Sequence, residues 1–220
     1  MNDASAPRPR RLADAERDGT VFVYDLERTP TPPSLPGARP RAAIAADAAA
    51  LQEAMESSGL YPPDVVTSRL AQGRRPYVVE ADGLIAAYGW AALSPEPIGD
   101  LGIAFLLEPG EAWIYDCATR PAYRGRGYYT ALLRCMVADL WEQTLRRAWI
   151  GTAPGNAISQ RGIVRAGFTK VADTGITRGP DGRLHIAVYG VPGISRDLLE
   201  HAAWSFHGHA YPDTGIPAGV

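Results

Sequence analysis

Cysteine is almost absent. Only Cys117 and Cys135 occur in 220 residues, too few and too isolated for a disulfide framework or a thiolate metal site, so both read as reduced thiols. Excess basic charge is missing too: 22 Lys and Arg against 24 Asp and Glu leave a formal charge of -2. There is no stripe for a nucleic-acid backbone and no polybasic patch for anionic lipid. No apolar run is long enough to span a bilayer, and the opening MNDASAPRPRRLADAERDG lacks the apolar core of a signal peptide. The expectation is a cytoplasmic protein without nucleic-acid or membrane partners. Histidine is sparse as well. His201, His207 and His209 fall near the C-terminus, but their spacing straddles a helix end and no carboxylate or cysteine cluster completes a ligand set. They read as surface residues, and no metal is expected.

What the chain has is apolar content, 46%, enough for one sizeable core and one domain with extensions. Residues 1–19, rich in Ala, Pro, Arg and Asp without apolar periodicity, read as a mobile tail. TVFVYDL, Thr20 to Leu26, reads as a short strand. TPTPPSLPGARP after it reads as a stiff extended connector, since each proline fixes φ and removes a donor. The division is then 1–42 for tail, strand and connector, 43–190 for the main domain, and 191–220 for a C-terminal helix and tail. Within the domain the pattern predicts a helix from Asp47 to Ser57, a short helix after Pro62–Asp64, and a hairpin turning at Ala81-Asp82-Gly83. LGIAFLL and AWIYDCAT read as strands. From Tyr129 the apolar positions Tyr129, Leu132, Leu133, Met136, Val137, Leu140 and Trp141 form one helical stripe. The strand RAWIGT, a short helix in NAISQRGIVRAGF stopped by Gly167, a hairpin turning at Pro180-Asp181-Gly182, and the amphipathic helix ISRDLLEHAAWSF follow.

The stretch YRGRGYYTALL, Tyr123 to Leu133, joins a strand to the striped helix. Glycine-rich backbone N–H groups converging on a helix N-terminus make an anion site, and Arg124 and Arg126 add charge. Taken alone, the glycine pair serves plain strand-to-helix turns equally well.

Its context is more specific. The stretch resembles the phosphate-binding signature of the GNAT superfamily of acyl-CoA-dependent acyltransferases, Arg/Gln-x-x-Gly-x-Gly/Ala at a helix start, with Arg124, Gly127 and Tyr129 on the marked positions. TRPAY resembles the family's preceding strand end, ALL its continuation, and NAISQRGIVRAGF its second motif, an Asn, a short helix and Gly-Phe. The resemblance is close from Glu111 to Val171 and extends by strand order over residues 43–190. It implies an α/β GNAT fold: a mixed, mostly antiparallel central sheet with helices on both faces, and splayed fourth and fifth strands, AWIYDCAT and RAWIGT. It implies acetyl-CoA as donor co-substrate, its arm bonded near Cys117, Ala118 and Thr119. The pyrophosphate would sit on Arg124, Gly125, Arg126, Gly127, Tyr128, Tyr129 and Thr130, with Asn156 and Ser159 on the far side of the arm. The implied reaction is N-acyl transfer by direct attack of a small-molecule amine in a ternary complex.

The chain departs from the family in places. A tyrosine often stands four residues before the last glycine of the second motif, to protonate the leaving thiolate; here that position is Ile163, so either water assists the thiolate or another hydroxyl substitutes, with Ser159 and Tyr129 the nearest candidates. Gly162, costly inside a helix, reads as a close approach of cofactor or strand, or as tight packing. Period-2 alternation puts Glu111, Trp113, Tyr115, Cys117 and Thr119 on one face, which resembles the acceptor side. Glu111 stands thirteen residues before Arg124, where some members carry a catalytic glutamate; it reads equally as a solvated residue of the PGE turn. Glu111, Tyr129 and Tyr115 are the candidate catalytic residues. Asp116 calls for an arginine or helix amides as partner. Arg74 and Arg75 read as a solvated turn without a role, and Trp204 and Phe206 either pack across a homodimer or cap their own sheet. A non-catalytic CoA-binding domain and a Rossmann-type nucleotide binder are the rival readings, the second weakened by the missing third glycine.

Overall fold

The computed structural model describes residues 17–57, 61, 63–98, 104–178 and 184–207. In chain order its elements are β1 (Arg17–Asp25), β2 (Ala38–Ala42), α1 (Ala48–Glu56), α2 (Val65–Ala71), β3 (Arg75–Ala81), β4 (Leu84–Ala92), β5 (Glu96–Pro97), β6 (Ala104–Phe105), β7 (Glu111–Thr119), α3 (Tyr128–Glu142), β8 (Arg147–Thr152), α4 (Ala157–Ala166), β9 (Thr169–Arg178), β10 (Leu184–Gly190) and α5 (Arg196–His207). The predicted hairpin turn at residues 180–182 lies outside the described residues.

Eight strands form one sheet in the order β10-β9-β1-β8-β7-β4-β3-β2. Neighbours run antiparallel except β7 and β8, which are parallel. The architecture is the expected mixed, mostly antiparallel α/β sheet. Alternation in β1 shows how it is covered: Phe22 and Tyr24 join the core under α3 and α4, while Val21 and Val23 join the core under α5. A third core lies beneath α1 and α2, with Val78, Tyr88 and Trp90 from β3 and β4. Helices therefore cover both faces.

β1 is more central than its place in the sequence indicates. It lies between β8 and β9, so the division at residue 42 cuts through the sheet, and Arg17 to Gly19, expected in the tail, belong to a strand. β2 is a strand where the sequence pattern predicts connector, because its sequence ARPRA closes the proline-rich stretch. It pairs only with β3 and forms the sheet edge, where Pro40 sacrifices no ladder bond. In α3 the predicted stripe packs inward: Leu132, Leu133, Met136, Val137 and Leu140 are all at most 1% exposed. Each contributes about 1.5–3 kcal/mol through burial. The stripe ends earlier than expected. Trp141 is 40% exposed, while Tyr128, one residue before the expected start, is buried. No helix among the described residues is long and apolar enough to cross a membrane.

Candidate active site

The sheet opens where its two parallel strands part. β7 and β8 pair from Glu111 opposite Arg147 to Ile114 opposite Ile150, and no further. Beyond Ile114, β7 is held by β4 alone, out to Thr119 opposite Ala87, while Gly151 and Thr152 of β8 are held by β1. A wedge thus separates the C-terminal halves of the two strands, and the β7 edge facing it has no strand partner for its backbone groups.

A bulge sits in the wall of this wedge. Tyr88 pairs with Ala118 but Trp90 with Tyr115, so Asp116 and Cys117 together stand opposite Gly89. Asp116 takes a left-handed backbone, φ 45°, which is costly for a residue with a side chain. Its carboxylate pairs with Arg69 of α2, the arginine partner the sequence called for. The extra residue corrects the predicted alternation. Trp113 and Tyr115 face α5 and α2, but Cys117 turns to the α3 face, where its sulfur fills the space a Cβ on Gly89 would need, 2.6 Å away. Thr119, opposite Ala87 of that same core, follows Cys117 rather than Tyr115. Burial drives the Cys117 thiol far above its usual range, which keeps it protonated and unreactive.

Beyond Thr119 the chain makes one tight turn at Pro121–Tyr123, then Gly125 and Gly127 at φ +77° and +83° deliver it into α3. Gly127 is the N-cap, and its left-handed φ is one that residues with a Cβ adopt only with strain. The first turn of α3 leaves its backbone N–H groups unbonded within the helix, and no acidic side chain occupies that turn. Arg124 donates to the Thr119 carbonyl at 3.3 Å, and the Arg126 guanidinium lies over the Tyr123 ring. Neither arginine faces a carboxylate among the described residues. The arrangement fits an anion such as a pyrophosphate.

Tyr129 stands where the signature prefers Gly or Ala, and α4 makes room for it. A Cβ on Gly162 would lie 2.9 Å from Cε1 of Tyr129 and closer still to Cδ1, so the glycine admits the ring. The Tyr129 hydroxyl lies 2.9 Å from Ser159 Oγ, across the α3–α4 contact. Burial raises its pKa well above the usual phenol value, which keeps the proton on oxygen. Ile163 is fully buried in the core and offers nothing to a ligand. Asn156 caps α4, its Oδ1 accepting from the Ser159 N–H at 3.1 Å, and its amide nitrogen stays free of bonds among the described residues.

The three candidate catalytic residues are not brought together. Tyr129 lies on the α3 side of the sheet, Tyr115 on the α2 and α5 side beneath the Arg69 guanidinium, and Glu111 at the closed end of the wedge. The Glu111 side chain is 0% exposed, with His201 Nε2 at 3.0 Å, Arg147 Nη1 at 3.2 Å and the Glu108 N–H at 3.1 Å. It is therefore not a solvated turn residue. His201 is corrected likewise: its side chain is 13% exposed and its ring stacks on Trp149 at 5.6 Å instead of lying on the surface. Glu108, Glu111 and His201 offer ligand atoms within 4.8 Å of one another, but Arg147 already holds the Glu111 carboxylate. The side chains of His207 and His209 lie outside the described residues.

Sequence reasoning also missed a polar cluster on the Tyr115 side. Arg69 lies over the rings of Tyr61, Trp90 and Tyr115 at 5.4, 5.2 and 5.1 Å. Arg74, expected to be a solvated turn residue, instead pairs with Glu96 at 2.6 Å, with side chains 9% and 11% exposed. Only the lone acid in an apolar strand, Asp116, signalled this cluster in advance.

The mixed sheet thus holds a wedge between two parallel strands that leads to a glycine-turned helix N-terminus. The model of the acetyltransferase (GNAT) family matches residues 43–168, more than half of the chain, and the protein belongs to that family. Among solved structures, a GCN5-related N-acetyltransferase from Sphaerobacter thermophilus is similar at 20% identity and a TM-score of 0.53, over 71% of this chain and 49% of that one. An acetyltransferase of the GNAT family from Colwellia psychrerythraea is similar at 14% identity and a TM-score of 0.53, over 72% of this chain and 54% of that one. The chain thus spans about half the length of these relatives. No match to a curated protein was found.

Proposed function

We propose that the protein is an acetyl-CoA-dependent N-acyltransferase acting on a small-molecule amine. The wedge between β7 and β8, opening onto the N-terminus of α3, carries this reading. In it the unpaired edge of β7 bonds the pantetheine arm along Cys117, Ala118 and Thr119, Asn156 adds its free amide from α4, and the turn from Arg124 to Thr130 holds the pyrophosphate. A β7 backbone N–H near the bulge polarises the thioester carbonyl.

The acceptor amine enters from the Tyr115 side, where the bulge and the Arg69 cluster form the wall. Its lone pair forms the N–C bond as the C–S bond breaks, and the thiolate leaves on the opposite, α3 side. Tyr129 supplies the proton to that sulfur and is recharged through Ser159. The amine's own proton passes to solvent, because Glu111 is sealed at the closed end of the strand pair. Placement of amine and thioester supplies most of the acceleration, up to about 7–11 kcal/mol in favourable cases.

The test is turnover. Purified protein is incubated with acetyl-CoA and a panel of small amines while free thiol is followed. Thiol release that depends on one amine, with the acetylated product seen by mass, is the expected result. CoA binding without turnover on any amine would leave a CoA-binding domain, and stabilisation by NAD(H) but not by acetyl-CoA would overturn the transferase reading.

A further inference from the structure

A cavity of about 300 Å³ opens beside the α3 N-terminus. It is lined by Gly127 and Thr130 at the start of α3, by Arg134 of α3 and Arg165 of α4, and by Ser34 and Leu35 of the proline-rich connector. The connector is thus a strap across the α3–α4 layer. Leu35 packs against the core there, with Cδ1 3.6 Å from where a Cβ on Gly127 would stand.

The cavity is basic. Arg134 Nη2 donates to the Arg165 carbonyl at 2.9 Å, but its Nε is buried without a hydrogen-bond partner. Neither guanidinium is in an ion pair among the described residues, and no acidic side chain lines the cavity. A buried N–H beside a second free arginine fits a tetrahedral dianion better than it fits water. Arg134 lies seven residues along the helix from Gly127, about 10 Å, on the order of one nucleoside from an anion at the helix start. At about 300 Å³ the space suits a ribose and a phosphate rather than a whole donor.

We infer that the cavity under the strap binds a phosphate monoester, and that this group is the ribose 3′-phosphate of the acyl-CoA donor. The inference rests on the acyl-CoA reading above and adds the residues that distinguish CoA from its dephosphorylated form. Arg134 and Arg165 hold the phosphate, and the strap closes over the ribose.

Calorimetry on the full chain tests it, with CoA, 3′-dephospho-CoA and inorganic phosphate as ligands. The wild type is expected to bind CoA more than tenfold tighter than dephospho-CoA. R134Q/R165Q should bring CoA down to the dephospho-CoA affinity while leaving dephospho-CoA unchanged. R165Q alone, which leaves the Arg134 bond to the residue 165 carbonyl intact, should remove part of the preference without affecting folding. Equal affinity of the wild type for both nucleotides, or equal loss of both in the variants, would overturn the inference while the transferase reading stands. Phosphate binding without any preference for CoA would assign the cavity to free phosphate and overturn the nucleotide source. Binding of neither nucleotide would take both readings down together.

Discussion

Glu111→Gln separates an anchor from a base. The wild-type carboxylate is wholly buried and has donors on both oxygens: Arg147 and His201 at Oε1, His201 and the Glu108 N–H at Oε2. Glutamine keeps the shape but turns one oxygen into an NH2, so a donor meets a donor whichever way the amide is flipped. One charge-assisted bond is lost, about 1.5–3 kcal/mol. The larger penalty for stranding a fully buried charge does not apply, because the Arg147 side chain is 37% exposed and keeps its water. For a chain of this size the loss lowers Tm by about 3–12 °C.

The pH dependence is fixed by the same contacts. Burial alone would raise the Glu111 pKa, but the bonds to His201, the Glu108 amide and Arg147 outweigh it and hold the group below its ordinary 4.5. A carboxyl whose folded pKa is depressed stabilises fully above its unfolded pKa, and the contribution fades as pH falls through the folded value. The Tm gap between wild type and variant should therefore be constant near neutrality and close in acid. The assay is thermal unfolding from neutral to acid pH, with kcat measured well below both melting points and expected to change less than about threefold. An unchanged Tm with a kcat loss of about a hundredfold, the scale of a lost general base, would refute the anchor and restore Glu111 as base.

Tyr129→Phe removes only the hydroxyl 2.9 Å from Ser159; kcat should fall at least about a hundredfold with CoA affinity unchanged, and full activity would leave Tyr129 as packing. Gly162→Ala forces a Cβ into the Tyr129 ring. It should cost about 1–3 kcal/mol by denaturant unfolding and lower kcat as well, whereas a stable, fully active variant would show that the ring position is irrelevant to turnover.

The parts of this molecule that were legible in the sequence are those whose chemistry is local. The turn from Arg124 to Thr130 announces itself because positive φ demands glycine and a helix start demands unbonded N–H groups, whatever surrounds them. The α3 stripe is equally local, since its spacing is that of the helix. Alternation along β7 failed at Asp116 because a bulge is a property of two strands, and the strand that forces it, with Gly89, is β4. β2 escaped notice because prolines argue against a strand unless it lies on an edge, and an edge exists only once the sheet is assembled. His201 and Arg74 looked like surface residues because the carboxylates that bury them, Glu111 and Glu96, are distant in sequence.

Gly162 and Tyr129 are best understood as one exchange. The signature position on α3 usually stays small so that the donor can approach, and the hydroxyl comes from α4. Here α4 gives up its tyrosine for Ile163 and also gives up a side chain at Gly162, while α3 fills that space with the ring of Tyr129. The ring occupies the space that a side chain at residue 162 would need, as close packing requires, and its hydroxyl is tethered to Ser159. A glycine inside a helix costs about 1 kcal/mol relative to alanine, and the packing of an aromatic ring offsets it. Two departures that each weaken the resemblance when read singly are therefore one packing exchange when read as a pair, and on the proposed mechanism the hydroxyl that protonates the thiolate is carried by α3 instead of α4.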